Sequence, residues 1–278
     1  MKAKQIFNLA VGCTLLGITA CKKNVVPVAT PTTTTVLITS NAKLGNVLTD
    51  STGMTLYLFS ADATGASACT GGCVTTWPVF YKANLNLPSG LNASDFGTIT
   101  RSDGQKQTTY KSWPLYYYSN DKVAGDVNGD QVGGIWYVAK PDYAVMLART
   151  QLVGKNGTNY DSTLVAGTGN TVYLTDGWGR TLYAFTPDHF NKNTYTKSDF
   201  SNDPTWPIYQ PSGAGGSVPS VLAAKDFGVT TVFTKTQLSF RGWPLYYFVS
   251  DSSIRGLTRG VSIPTWPIIK RSTSVAPQ

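Results

Sequence analysis

Glutamate is absent from this 278-residue chain: all 15 acidic residues are aspartate. Glutamate favours helices, whereas the Asp, Gly, Thr, Tyr and Pro used here favour turns and strands, so composition points to an all-β fold. The same absence leaves paired-carboxylate hydrolysis to whatever aspartates the fold brings together. Histidine occurs once, at His189, so a metal site built on imidazoles lacks its ligands. No G-x-S-x-G nucleophile motif occurs, which argues against serine hydrolysis. Only 14% of residues are charged, and the 23 basic ones are scattered despite a formal net charge of +8. Without a basic cluster, nucleic acid is not an expected partner.

The apolar run from Ile6 to Ile18 is too short to span a bilayer comfortably. With Lys2 and Lys4 before it and Thr19-Ala20-Cys21 after it, it reads as a signal peptide over residues 1–20. "ITAC" at 18–21 resembles the bacterial lipobox, which implies cleavage before Cys21 and lipidation of its thiol; the plainer alternative is an ordinary leader with a chance cysteine. Acyl chains gain about 0.8 kcal/mol per buried CH₂, so a lipidated Cys21 would hold the chain on a membrane. Residues 21–42, rich in Pro, Thr and Val without periodicity, read as a tether, although "TTVLIT" can form a first strand.

Beyond the tether the chain repeats itself. "VLTDSTGMTLYLFSAD" from 47 aligns with "YLTDGWGRTLYAFTPD" from 173, and Trp113-Pro114, Asp121 and Trp136 recur at Trp243-Pro244, Asp251 and Trp266. We expect copy one over 43–140, a connection over 141–160 in which "YAVMLART" can add one more strand or a short helical turn, copy two over 161–271 and a tail over 272–278. Each copy is itself bipartite, because strand, Gly turn and strand occur twice in it. Trp-Pro marks the start of a further strand, since Pro is tolerated there and not in a strand interior. Four hairpin-plus-aromatic-strand units result, with propeller-like and sandwich packing both open.

Each unit carries Tyr-x-aromatic-x-x-Asp: Tyr57, Phe59 and Asp62; Tyr116, Tyr118 and Asp121; Tyr183, Phe185 and Asp188; Tyr246, Phe248 and Asp251. Residues two apart on a strand share a face, so each aromatic pair points the same way. One reading makes the aromatics core and the aspartates acceptors for turn amides. The other makes them an aromatic cleft rimmed by carboxylates, suited to a carbohydrate or planar ligand. The structural reading leads, because a brick must recur wherever the fold recurs while a site needs one instance. Burial of the four tyrosines separates the two.

The motif, the lipobox, "CTGGCVTTWP" and "WPLYYYSND…GDVNGDQVGGIWYV" together resemble the bacterial secreted-repeat lipoproteins named for the motif, over nearly all of the chain after residue 42. The resemblance implies envelope lipoproteins of unknown function and brings no reaction or cofactor. Copy two lacks the cysteine pair and the Gly-Asp-rich loop, so an activity carried by those features belongs to copy one.

Cys69 and Cys73 stand four apart in an exported chain, where a local disulfide is the default. A redox pair is the functional alternative. Asp126, Asn128 and Asp130 alternate as in the opening of a calcium loop, but Gln131 and Tyr137 replace the Gly and terminal acid of that pattern. Calcium is therefore the one cofactor suggested, beside the alternative of a plain Gly-Asp-Asn turn. Asp188-His189 is not a catalytic pair, since neighbours on an extended chain face opposite ways. The expectation is a lipid-anchored, non-catalytic envelope protein on the periplasmic face or cell surface. It would bind a carbohydrate, small molecule or protein; a redox accessory role through Cys69 and Cys73 is the alternative.

Overall fold

In the computed structural model, residues 34–211 and 216–278 are described, together with Met1. The expected leader, Cys21 and most of the expected tether lie outside the described residues. The chain is built from strands: β1 Val36–Asn41, β2 Gly45–Asp50, β3 Tyr57–Phe59, β4 Phe96–Thr100, β5 Lys106–Tyr110, β6 Trp113–Pro114 and β7 Trp136–Val138 make the first copy. β8 Val145–Val153, β9 Asn159–Tyr160, β10 Asn170–Asp176, β11 Phe227–Val232, β12 Lys235–Phe240 and β13 Trp243–Pro244 make the second. They form five small antiparallel sheets of two or three strands, and among the described residues neither a ring nor a barrel closes.

Four hairpins head the four units. β1 and β2 pair Val36 with Asp50, and β8 and β10 pair Val145 with Asp176 in the matching register. β4–β5 and β11–β12 match likewise, from Phe96 opposite Tyr110 and Phe227 opposite Phe240. Two boundaries therefore move. β1 begins inside the expected tether, and the expected connection 141–160 holds β8, which is the first strand of copy two. Trp-Pro opens strands at β6 and β13, as its sequence suggests. At Pro78 and Pro207 the carbonyls instead accept the amides of Tyr117 and Tyr247.

The two units of a copy are interlocked. Phe80, from the end of the first unit, donates its amide to Leu115 O and accepts the amide of Thr108, both in the second unit. Ala139, from the end of the second unit, does the same between Leu56 and Leu48 of the first. Copy two repeats the exchange with Tyr209 between Leu245 and Leu238, and Ile269 between Leu182 and Leu174. At the centre Tyr57 and Tyr116 exchange backbone hydrogen bonds at 2.8 and 3.1 Å, as do Tyr183 and Tyr246 at 2.9 Å. Neither unit can satisfy its backbone without the other, because an inserted segment's polar groups have no other partner in the interior. The folding unit is the pair.

The copies pack through one shared core that includes Phe80, Tyr110, Trp113, Leu147, Tyr173 and Phe240. The Trp113 indole donates to Gly177 O at 3.1 Å and the Tyr110 hydroxyl to Pro141 O at 2.7 Å, so polar tips of core aromatics also cross between copies.

Candidate functional site

All four motif tyrosines are fully buried, which assigns the motif to the core. Their hydroxyls reach across the copy. Tyr57 donates to Asp121 at 2.7 Å and Tyr116 to Asp62 at 2.7 Å; Tyr183 donates to Asp251 at 2.8 Å and Tyr246 to Asp188 at 2.7 Å. Each tyrosine thus bonds the aspartate of the other unit. The second carboxylate oxygen accepts a backbone amide further on: Ala68 for Asp62, Asn128 for Asp121, Thr194 for Asp188 and Arg259 for Asp251. The amides of Gly129 and Gly260 donate back to the hydroxyls of Tyr57 and Tyr183 at 3.2 Å. A Cβ on Gly260 would meet the Tyr183 ring at 2.5 Å, so only glycine lets that amide approach.

Burial dominates the acidity of these carboxyls. It pushes Asp62 up to about 7 and Asp251 up to about 6, against the opposing pull of the donated amide and phenol hydrogens. Asp121 and Asp188 are raised for the same cause. A raised carboxyl in a cleft would be an acid catalyst candidate. Here each carboxyl is buried with both oxygens engaged in hydrogen bonds that hold the fold together. The tyrosine hydroxyls are raised as well, first by burial and then by the facing aspartates.

The second aromatic of the motif is exchanged in the same manner. Phe59 stacks on Trp136 at 4.1 Å, Trp136 on Trp77 at 3.7 Å, and Trp77 on Tyr118 at 4.4 Å, giving a four-ring ladder. Copy two has Phe185, Trp266, Trp206 and Phe248 in that order, with the two indoles 3.9 Å apart. The indoles are buried in both copies, so the ladder is packing and not an open platform. The aromatic-cleft reading of the motif is overturned by this burial.

Cys69 and Cys73 form a disulfide, closed just before the four-residue helix α1 Cys73–Thr76 takes the chain into Trp77. Cys69 is fully buried against Trp77, Tyr116 and Trp136. The matching position of copy two is Tyr195, whose ring stands edge-on to Trp266 at 4.7 Å. The disulfide fills the volume that an aromatic ring fills in the other copy.

The Asp126–Asp130 loop does not gather ligands around a point. Asp126 accepts the amides of Lys122 and Val123, Asp130 accepts the amide of Val138 and the Ser220 hydroxyl, and the Asn128 amide donates to Asp121. Among the described residues no three His, Cys, Asp or Glu side chains converge as metal ligands. Asp188 is buried and His189 exposed, so they do face apart.

What the sequence did not single out is a cavity on copy two. It has a volume of about 280 Å³ and is walled by Pro207, Tyr247, Phe248, Val249 and Ile254, with Arg180 and Asp251 also in its lining. A shallower groove continues from it past Trp178 and Arg255. Arg180 lies 4.6 Å over the Tyr247 ring, and its Nε donates to Asp176 at 2.6 Å. Trp178 sits at the tip of a Gly-Trp-Gly turn and is 40% exposed. The signal available beforehand was the disagreement of the copies: Thr52, Met54 and Ala124 stand where copy two has Trp178, Arg180 and Arg255.

Two segments of the chain, 38–81 and 97–140, match the model of a family described as a secreted repeat of unknown function. They coincide with the two interlocked units of copy one. Both segments of copy one are thus similar to secreted repeats of unknown function. The reciprocal Tyr–Asp bonds therefore join one secreted repeat to the next, and copy two reproduces the same bonds at Tyr183 and Tyr246. The family is described as secreted, which supports export of this chain. No curated protein and no solved structure is similar enough to count as a match.

Proposed function

We propose that this is a lipid-anchored envelope protein of non-catalytic type. Cys21 attaches it to a bacterial membrane, and the folded body binds a small-molecule, carbohydrate or protein partner at the periplasmic face or cell surface. The observation that carries the reading is the closed accounting of the repeated motif. The first tyrosine and the aspartate of every motif copy are buried and bonded to the facing unit, which leaves the body a scaffold whose surface is free to vary. Scaffold-borne surface loops are where binding residues concentrate in such folds. The lipobox and the secreted family support the anchor. Labelling with radioactive palmitate tests it: wild-type chain carries label in the membrane fraction, and Cys21→Ser is unlabelled and soluble. A Cys21→Ser chain that stays in the membrane fraction refutes the anchor.

A second reading, a redox accessory, rests on the Cys69–Cys73 disulfide. It requires reversible reduction of the folded protein by a dithiol. A bond that resists reduction until the chain unfolds removes this reading.

A further inference from the structure

We infer that the cavity beside Arg180 and the groove over Trp178 and Arg255 form a binding site for a small organic anion with an apolar, ring-sized body. This deepens the reading of the body as a binding module and is independent of the lipid anchor. Three observations carry it.

The first is unmatched donors. Arg180, 36% exposed at its side chain, uses Nε on Asp176 and Nη2 on the Tyr247 hydroxyl at 3.0 Å, which leaves Nη1 open to solvent at the cavity. Arg255 lies 4.2 Å over the Trp113 ring, and its buried Nε and Nη2 have no hydrogen-bond partner. Buried guanidinium N–H groups without acceptors are costly, and an anion is the group that would satisfy them.

The second is apolar exposure at the same place. Val249 is 50% exposed, Ile254 55% and Trp178 40%, and all three line this cavity and its groove. A cavity of about 280 Å³ lies at the small end of ligand-site volumes, which run from about 300 Å³ upward. It would accept the ring or chain while the guanidinium groups take the charged end.

The third is a built-in comparison. Copy one folds the same turn, with Gly53 and Gly179 both at φ +86° and the amides of Gly125 and Gly256 donating to them at 3.0 Å. It does so with Thr52, Met54 and Ala124 in place of Trp178, Arg180 and Arg255. The fold therefore does not require these three side chains. Burial also pulls Arg255 down to about 10, which an anion beside it would reverse.

The test uses the mature chain made soluble by Cys21→Ser, with calorimetric titration of 2-naphthoate, its neutral amide 2-naphthamide, and inorganic sulfate. Naphthoate should bind one to one, at least about tenfold tighter than the amide or sulfate, the gain expected of one charge-assisted pair. Arg180→Met and Arg255→Ala, the residues copy one already accommodates, should each weaken naphthoate about tenfold while the variant remains folded by circular dichroism. Trp178→Thr should weaken naphthoate and the amide alike. Equal binding of acid and amide, undiminished binding to Arg180→Met, or no saturation by naphthoate in the millimolar range would each overturn the proposal. The palmitate experiment is untouched by any of these results, so failure of the site and failure of the anchor are told apart.

Discussion

The exchanged Tyr–Asp bonds predict a coupling that runs against chain proximity. Tyr183 is five residues from Asp188 yet bonds Asp251, 68 residues away. Tyr183→Phe removes a buried bond to a carboxylate, about 1.5–3 kcal/mol, and leaves the Gly260 amide without its 3.2 Å acceptor. The total loss should be about 2–4 kcal/mol. In a double-mutant cycle, Tyr183→Phe with Asp251→Asn should couple by about 1–3 kcal/mol. Tyr183→Phe with Asp188→Asn, which share no partner, should be additive within about 0.5 kcal/mol. The assay is urea unfolding followed by tryptophan fluorescence, read as midpoint shifts at constant m. The loss should also be larger at pH 8 than at pH 5. Asp251 titrates near 6, so the bond joins a neutral carboxyl below that pH and an ion above it. A Tyr183→Phe loss under about 0.5 kcal/mol, or stronger coupling to Asp188 than to Asp251, would refute the exchanged arrangement.

Because burial raises Asp62, Asp251, Asp121 and Asp188 above the ordinary carboxyl value near 3.8, the folded chain holds protons that the unfolded chain releases. Their contribution is complete below about pH 4 and is lost as pH rises through each folded value, about 6 for Asp251 and about 7 for Asp62, by up to about 1.4 kcal/mol per pH unit for each group. Asp50, lowered by bonds from Thr52, Met54 and Tyr117 that outweigh its burial, acts oppositely, and its contribution is lost only as pH falls below about 4. Melting temperature should therefore be higher at pH 5 than at pH 8; a flat or rising trend between them contradicts the argument. Replacing both Cys69 and Cys73 by serine should cost roughly 2 kcal/mol from loop closure alone, plus the packing lost against Trp77 and Trp136. An unchanged urea midpoint would show that the disulfide fills no core volume. Gly260→Ala, forced against Tyr183 and Trp206, should cost about 1–3 kcal/mol in the same unfolding assay, and a neutral result would mean the ring has room to move.

Much of the fold is local and was legible. Period-two patterning around Gly turns exposed the hairpins, and the tandem alignment exposed the four units. The short Cys69–Cys73 spacing in an exported chain pointed to the bond that forms. Burial of the four tyrosines and the amide bonds of the four aspartates also followed from strand geometry and turn chemistry. β8 was legible only as one more strand or a short helical turn, because Val145 to Ala148 are all buried, so the segment is continuously apolar and shows no alternation. Three things were decided only in three dimensions. The first is that each tyrosine chooses the aspartate of the other unit, because strand pairing at Tyr57 and Tyr116 brings the far carboxylate closer than the near one. The second is that Phe80 and Ala139 trade places, which makes two repeats one folding unit. The third is the convergence of Trp178, Arg180, Ile254 and Arg255 from two turns some seventy residues apart. Local pattern encodes which residues turn inward; it does not encode which distant segment supplies their partners, since any strand of matching polarity satisfies the same periodicity.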